Sequence, residues 1–367
     1  MKIPIADPGR WFAEHRGELE SLFTDVCLQG QYIMGPQVTA FEHQFADFCH
    51  TSHAVAVASG TDALALSLRA LGASGGEVIT SAHTAIATIS AIEMAGATPI
   101  LADIDPVSLC IDVSSVGTLL TAQTRAIVAV HIFGHPADVA GLQQLVAGSD
   151  IAIVEDCAQA HGARLAERPV GGLADAGAFS FYPTKNIGVM GDAGVIVTNS
   201  QELDQKLREL RQYGWDDDRI SQASGYNSRM DSLQAAILSV RLAAFENDFE
   251  RRQSIARRYL YALSHQPVIS APVTLPDITH GYHQFVVQCD NPDALAVSME
   301  AHGVQHGRHY RLPVHAHPAY AGLRRAASLA NVEQLYARML SIPIFPELLD
   351  AEVDLICQIL ERGPWGK

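Results

Sequence analysis

The stretch Gly177–Gly194, GAFSFYPTKNIGVMGDAG, sets one lysine, Lys185, in a glycine-flanked loop after a short apolar run, with Ser180 five positions earlier. Lysine is scarce: it occupies only positions 2, 185, 206 and 367, and the other basic residues are arginine. Lys2 and Lys367 are near the ends of the sequence, and Lys206 falls in the charged helical pattern QELDQKLRELR. Lys185 alone sits where a desolvated amine is expected. Such an amine has a lowered pKa and forms imines with aldehydes.

Asp156 is the natural counterpart of such a lysine. DIAIVEDCAQAHGA places Glu155 and Asp156 at the carboxyl end of an apolar strand-like run, the edge at which doubly wound sheets bind ligands. A carboxylate there keeps a heterocyclic nitrogen protonated, so that a pyridine ring takes up electrons. Gln159 is three residues on and within reach of a ring substituent. The alternative for Asp156 is a helix cap. Ser59-Gly60-Thr61-Asp62 follows another strand and opens a helix. Its free N–H groups and the positive helix end suit a phosphate, Gly60 admits close approach and Thr61 adds a hydroxyl; an ordinary capped turn has the same sequence. The turn is neither a Walker loop nor G-x-G-x-x-G. Asn227 and Arg229, in GYNSRMD, are suited to bind an anion or to cap the helix that follows. HGRHYRLPVHAHPAY (306–320) gathers four histidines with Tyr310. The proline breaks leave no i, i+4 ligand pair, so no metal is expected there and the segment reads as the lining of a polar cleft.

These residues need a frame. From about 54 to 200, strand-like runs (AVAVAS, EVITSA, ATPILADID, RAIVAVHI, DIAIVED, GAFSFY, GVIVTN) alternate with helical patterns. That alternation predicts an α/β fold with a mostly parallel sheet covered on both faces. A long amphipathic pattern over 231–263 leaves this unit, and HQFVVQC with further helices predicts a smaller α+β domain. We divide the chain at 1–245 and 246–367.

Composition narrows the function. A net charge of −15 excludes the clustered positive surface that nucleic acid or an anionic membrane requires. The six cysteines form no C-x-x-C pair, so neither a disulfide framework nor a zinc site is expected, and reduced thiols in a cytoplasmic enzyme are the simplest account. No signal peptide and no membrane span is expected.

In order, the chain carries SGTDAL (59–64), VEDCAQAHGA (154–163), FSFYPTKNIGVMGDAGVI (179–196), YNSRMDSLQAAIL (226–238) and HGRHYRLPVH (306–315). Together they resemble the DegT/DnrJ/EryC1/StrS family of pyridoxal-phosphate-dependent sugar aminotransferases. The likeness runs from GQYIMGPQVTAFEHQFADF to LSIPIFPELL. It implies the fold type I, aspartate-aminotransferase-like architecture and pyridoxal 5'-phosphate (PLP, alternating with its amine form PMP) as cofactor. By position, Lys185 would form the imine and shuttle the proton, Asp156 would bind the ring nitrogen and Gln159 the ring hydroxyl. Gly60, Thr61 and Ser180 would hold the phosphate. Asn227 would reach the phosphate from a neighbouring subunit, which implies a homodimer with shared sites. His309, Tyr310 and Arg229 would lie towards the substrates. Many members carry an aromatic residue after the Thr of SAHTAIAT, stacked on the ring; this chain has Ala85 there, and His83 is the expected substitute.

The resemblance implies transfer of an amino group from L-glutamate, released as 2-oxoglutarate, to a nucleotide-linked keto sugar. HTAIATISAIE and RQYGW look most like the branch acting on dTDP-3-oxo-6-deoxyhexoses. A 4-oxo nucleotide sugar and a non-catalytic PLP-binding regulator are the alternatives. A PLP-dependent sugar dehydratase would have histidine in place of Lys185.

Overall fold

The computed structural model describes residues 2–363. Seven strands form the main sheet: β1 His53–Val57, β2 Glu77–Ser81, β3 Thr98–Ala102, β4 Thr124–Val130, β5 Ala152–Asp156, β6 Ala176–Ser180 and β7 Gly194–Thr198. Their order is β1-β7-β6-β5-β4-β2-β3. Only β7 runs antiparallel to its neighbours, so the other six point one way and their carboxyl ends share one edge. Nearly every residue of these strands is buried, as expected for a sheet covered on both faces.

Helices link the strands from β1 to β5, while β5 to β6 and β6 to β7 are joined without a helix, and short polar side chains start several of the helices. Ser59 accepts from Asp62 N ahead of the helix Gly60–Ala70, Asp138 caps Val139–Leu145 and Ser200 caps Gln201–Leu210. Each cap satisfies an N–H that has no partner within its helix.

One core cluster covers the face that carries Ile79 and Ile100, with Ile89 of the helix Ile86–Met94 in it. The opposite face is filled by Phe41, Phe45, Phe179 and Phe181, with Phe45 edge-on to Phe179 at 5.0 Å and to Phe181 at 5.2 Å. Truncating one such ring costs about 3–5 kcal/mol, so this aromatic group fixes β6, and with it the start of the lysine loop.

A second sheet pairs Ile269–Ser270, Phe285–Cys289 and Met339–Ile342 antiparallel. It packs with the helix Asp350–Arg362 around Tyr259, Phe285 and Ile356. The helix Ser232–Ser264, 33 residues long, joins the two units. Its first half (Ala235, Ile237, Leu238, Phe245) enters the aromatic cluster, and its second half (Ile255, Ala256, Tyr259, Leu263) enters the small-sheet cluster. The division expected at 245/246 falls inside this helix, between those two sets. Among the described residues no helix is long and apolar enough to cross a membrane.

Candidate active site

The turns that leave β1, β5 and β6 meet at the shared carboxyl edge around a cavity of about 240 Å³. Gly60, Thr61, Asp156, Gln159, Ser180 and Lys185 all line it. Topology explains the convergence: Gly60 follows β1, Asp156 ends β5 and Ser180 ends β6, so strands far apart in sequence deliver them to one rim.

The turn after β1 is built for close approach. Ser59 is extended, with φ −159° and ψ 164°, and its hydroxyl accepts from Asp62 N at 3.1 Å. A Cβ on Gly60 would lie 2.5 Å from Ser180 Cβ. Only glycine lets the first turn of Gly60–Ala70 lie against Ser180, which puts helix N–H groups and two hydroxyls, those of Thr61 and Ser180, around one anion-sized space.

Asp156 is 5% exposed. Thr88 donates to its Oδ2 at 2.8 Å and Ala158 N to its Oδ1 at 3.1 Å. Thr84 and Thr88 share a further hydrogen bond of 2.8 Å. Burial raises the Asp156 pKa, opposed by these donors and by the charge of Lys185. Burial lowers the Lys185 amine to about 8, opposed by Asp156. Lys185 is held by a tight loop in which its N–H donates to Tyr182 O at 2.8 Å. A Cβ on Gly188 would meet Pro183 O at 2.3 Å. Among the other lysines, Lys2 and Lys206 are exposed, and Lys367 lies outside the described residues.

Gln159 Oε1 accepts from Phe133 N at 2.7 Å, which turns Nε2 to donate to the Tyr310 hydroxyl, also at 2.7 Å. Tyr310 is thereby joined to the cavity wall. Its neighbour His309 pairs through Nδ1 with Ser341 Oγ at 2.8 Å, and burial lowers its pKa.

Five of the expected residues do not line this cavity: His309 and Tyr310, which reach it only through the Tyr310–Gln159 bond, and His83, Asn227 and Arg229. His83 is fully buried, with Nδ1 3.1 Å from Tyr336 OH and its ring edge-on to Phe133 at 5.2 Å. Burial pushes its pKa down to about 3, so the imidazole is neutral. The lining beside Thr84 and Thr88 is formed by Ala85 and Ala87. Asn227 is exposed, and Arg229 lies over the Tyr213 ring at 5.7 Å. Between them Ser228 donates to Asp62 Oδ2 at 2.6 Å and accepts from Ala58 N at 3.1 Å, which pins the segment to the turn after β1.

Sequence reasoning missed Thr88, Tyr182 and Asp192, which also line the cavity. Thr84 and Thr88 at i, i+4 were the one available signal; Thr84 lies just ahead of the helix Ile86–Met94, whose first turn carries Thr88. It also missed the group His131, Glu155 and Cys157, whose ligand atoms lie within 4.8 Å of one another. Here Glu155 accepts from His131 Nε2 and from the N–H groups of Gly171, Leu173 and Ala174, and His131 Nδ1 accepts from Ala137 N. With its lone pairs so occupied, the group braces the end of β5 next to Asp156.

The sequence profile described as the DegT/DnrJ/EryC1/StrS aminotransferase family matches residues 14–361. The chain is 41% identical over 349 residues, 95% of its length and 92% of the relative's, to a dTDP-3-amino-3,4,6-trideoxy-alpha-D-glucose transaminase of Streptomyces venezuelae. Its fold matches the crystal structure of S. venezuelae DesV in complex with a ketimine intermediate, with a TM-score of 0.96 and 39% identity over 99% of both chains. It also matches NtdA of Bacillus subtilis with bound cofactor PMP, with a TM-score of 0.89 and 30% identity over 98% of this chain and 84% of that one.

Proposed function

The chain belongs to the DegT/DnrJ/EryC1/StrS aminotransferase family, and on that premise we propose that it transfers the amino group of L-glutamate to a nucleotide-linked keto-deoxysugar, a dTDP-3-oxo-6-deoxyhexose. The observation that carries this reading is the pairing of Lys185, its amine lowered to about 8 by burial, with the buried Asp156 in one cavity.

The residues fit pyridoxal phosphate. The Gly60–Ser180 contact leaves a cradle that a Cβ would fill, and Asp156 is a buried acceptor held by two donors. When bound, the cofactor supplies an aldehyde carbon and a pyridine ring that takes up electrons. Lys185 Nζ would hold the cofactor through its aldehyde group, and as a free amine it would take and return the proton at the substrate carbon. Asp156 would accept from the ring N–H, and the donors from Thr88 and Ala158 favour its ionised form against its burial. Thr61, Ser180 and the first N–H groups of Gly60–Ala70 bind the phosphate. Gln159, on the cavity wall, would contact the ring, and Tyr310, joined to it, would orient the substrate with His309.

Asn227 is exposed and does not line its own chain's cavity, so a phosphate contact from this residue requires a second copy of the chain. We infer a homodimer with sites at its interface, in which Arg229 stands near the substrate entrance.

Glutamate added to the PLP-loaded protein is expected to shift the visible absorption band and release stoichiometric 2-oxoglutarate. The PMP form should then aminate a dTDP-3-oxo sugar faster than dTDP-4-oxo, UDP-4-oxo or GDP-4-oxo sugars. An unchanged band with glutamate would sink the transaminase reading in favour of a PLP-binding regulator, and preference for a 4-oxo sugar would move the substrate.

A further inference from the structure

The residue after the catalytic lysine makes a side-chain contact across the molecule. Asn186, 5% exposed, donates through Nδ2 to Gly281 O at 2.8 Å, and its Oδ1 lies 3.3 Å from His283 Nδ1. Because a carbonyl only accepts, the amide orientation is fixed, and His283 Nδ1 must carry the hydrogen it donates to Oδ1. Nε2 is then a bare lone pair on a buried imidazole.

His283 belongs to a strap, His280–Gln284, that leads into the strand Phe285–Cys289 of the second sheet. The strap is held on its other side by the turn after β4. Gly281 N donates to Gly134 O at 2.7 Å and His283 N to Phe133 O at 2.9 Å. Phe133 N in turn donates to Gln159 Oε1. Arg252 on the long helix binds the Tyr282 carbonyl at 3.1 Å. One strap of the small unit therefore touches both the segment behind Gln159 and the segment behind Lys185.

We propose that His283 is a positioning residue for the reaction: through Asn186 it seats the Lys185 loop, and that seating depends on docking of the His280–Gln284 strap against Phe133 and Gly134. The functional consequence rests on Lys185 being the cofactor-bearing amine. The strap contact couples that amine to the placement of the domain which also supplies His309 and Tyr310, so a displaced small unit also releases the lysine.

Substitution at 283 separates the two ring nitrogens. Asparagine places an amide N–H near the position of Nδ1, whereas glutamine reaches the position of Nε2 and withdraws the donor from Asn186. The full-length apoprotein is treated briefly with acetic anhydride, and modification of Lys185 is read by mass spectrometry as a ratio to Lys206, which is exposed. His283→Gln is expected to raise this ratio roughly fivefold, the equivalent of one lost hydrogen bond of about 1 kcal/mol. His283→Asn should stay near the parent. In the PLP-loaded protein, His283→Gln should lower kcat with the glutamate KM little changed.

A parent-like ratio in His283→Gln, or equal ratios in the Gln and Asn variants, would overturn the proposal. A variant that loses its fold reveals itself by thiol-reagent labelling of the buried Cys49 and Cys157. In that event the ratio is read in Asn186→Ser, with the same expectation as for His283→Gln. If that variant also exposes both thiols, the pair holds up the fold rather than the loop and the proposal fails. Borohydride reduction of the PLP-loaded protein tests the lysine assignment separately. An adduct away from Lys185 would sink the proposed function and leave the labelling result standing.

Discussion

Thr88 donates its hydroxyl hydrogen to Asp156 Oδ2 at 2.8 Å, across 68 residues of chain. Burial works against the ionised carboxylate, and this bond works for it. Thr88→Val keeps the shape and removes the donor, so the Asp156 pKa rises further. A hydrogen bond to a charged group contributes about 1.5–3 kcal/mol, so kcat should fall at least tenfold. The acid limb of the pH–rate profile should move to higher pH, because the carboxylate is now protonated sooner as pH falls. Asp156→Asn should be the more damaging change, since it leaves no anion at any pH. An unmoved acid limb in Thr88→Val would refute the link.

Gly60 presses on Ser180, and a methyl group at 60 would sit 2.5 Å from Ser180 Cβ. Relief of such overpacking costs about 1–3 kcal/mol. Gly60→Ala is therefore expected to weaken PLP binding about tenfold or more in an equilibrium titration. Adding Ser180→Gly should remove the closest contact, leaving the one of 3.0 Å to the Cα at 180, but should not restore the affinity, because the hydroxyl is gone. Full recovery in the double variant would show that Ser180 contributes only bulk.

The lowered amine of Lys185 has a defined pH signature. Its pKa is about 8 in the fold, against 10.5 for an ordinary lysine. As pH falls from 10.5 to 8 the unfolded chain takes up a proton that the native site refuses. This group therefore costs the apoprotein stability progressively over that window, and no further below it. Lys185→Met should remove this slope from urea titrations run across the window, and should abolish turnover. Capture of PLP by borohydride should rise steeply as pH approaches 8 from below; a rise centred near 10.5 would contradict the desolvated site.

Asn227→Ala tests the proposed phosphate contact from a second copy of the chain. Loss of one polar contact of about 1 kcal/mol should speed PLP dissociation by roughly fivefold without changing the thermal midpoint. Unchanged retention of PLP would remove Asn227 from the phosphate site.

Much of this molecule was legible in its sequence, for identifiable reasons. Each main-sheet strand is a short apolar run bounded by turn residues, and a parallel sheet buried on both faces demands that pattern. Gly60, Asp156, Ser180 and Lys185 were legible because their positions, at strand ends or in the short turns that follow them, are local. Pairings over long separations were not. Thr88 with Asp156, and Asn186 with His283 at a separation of 97, leave no trace in periodicity. His83 shows the same limit from the other side. Its sequence position two residues before Ala85 placed it on the ring face, but the turn after β2 directs it to Tyr336 instead, and the alanines take the lining.

The helix Ser232–Ser264 spans about 50 Å at 1.5 Å per residue and is shared by two cores without a break. A shared rod transmits torque: a force applied to the small unit is felt as leverage among the phenylalanines beneath the lysine loop. Opening of the cleft cannot bend at this junction without tearing helix hydrogen bonds, so any breathing of the enzyme must swivel about an intact axle.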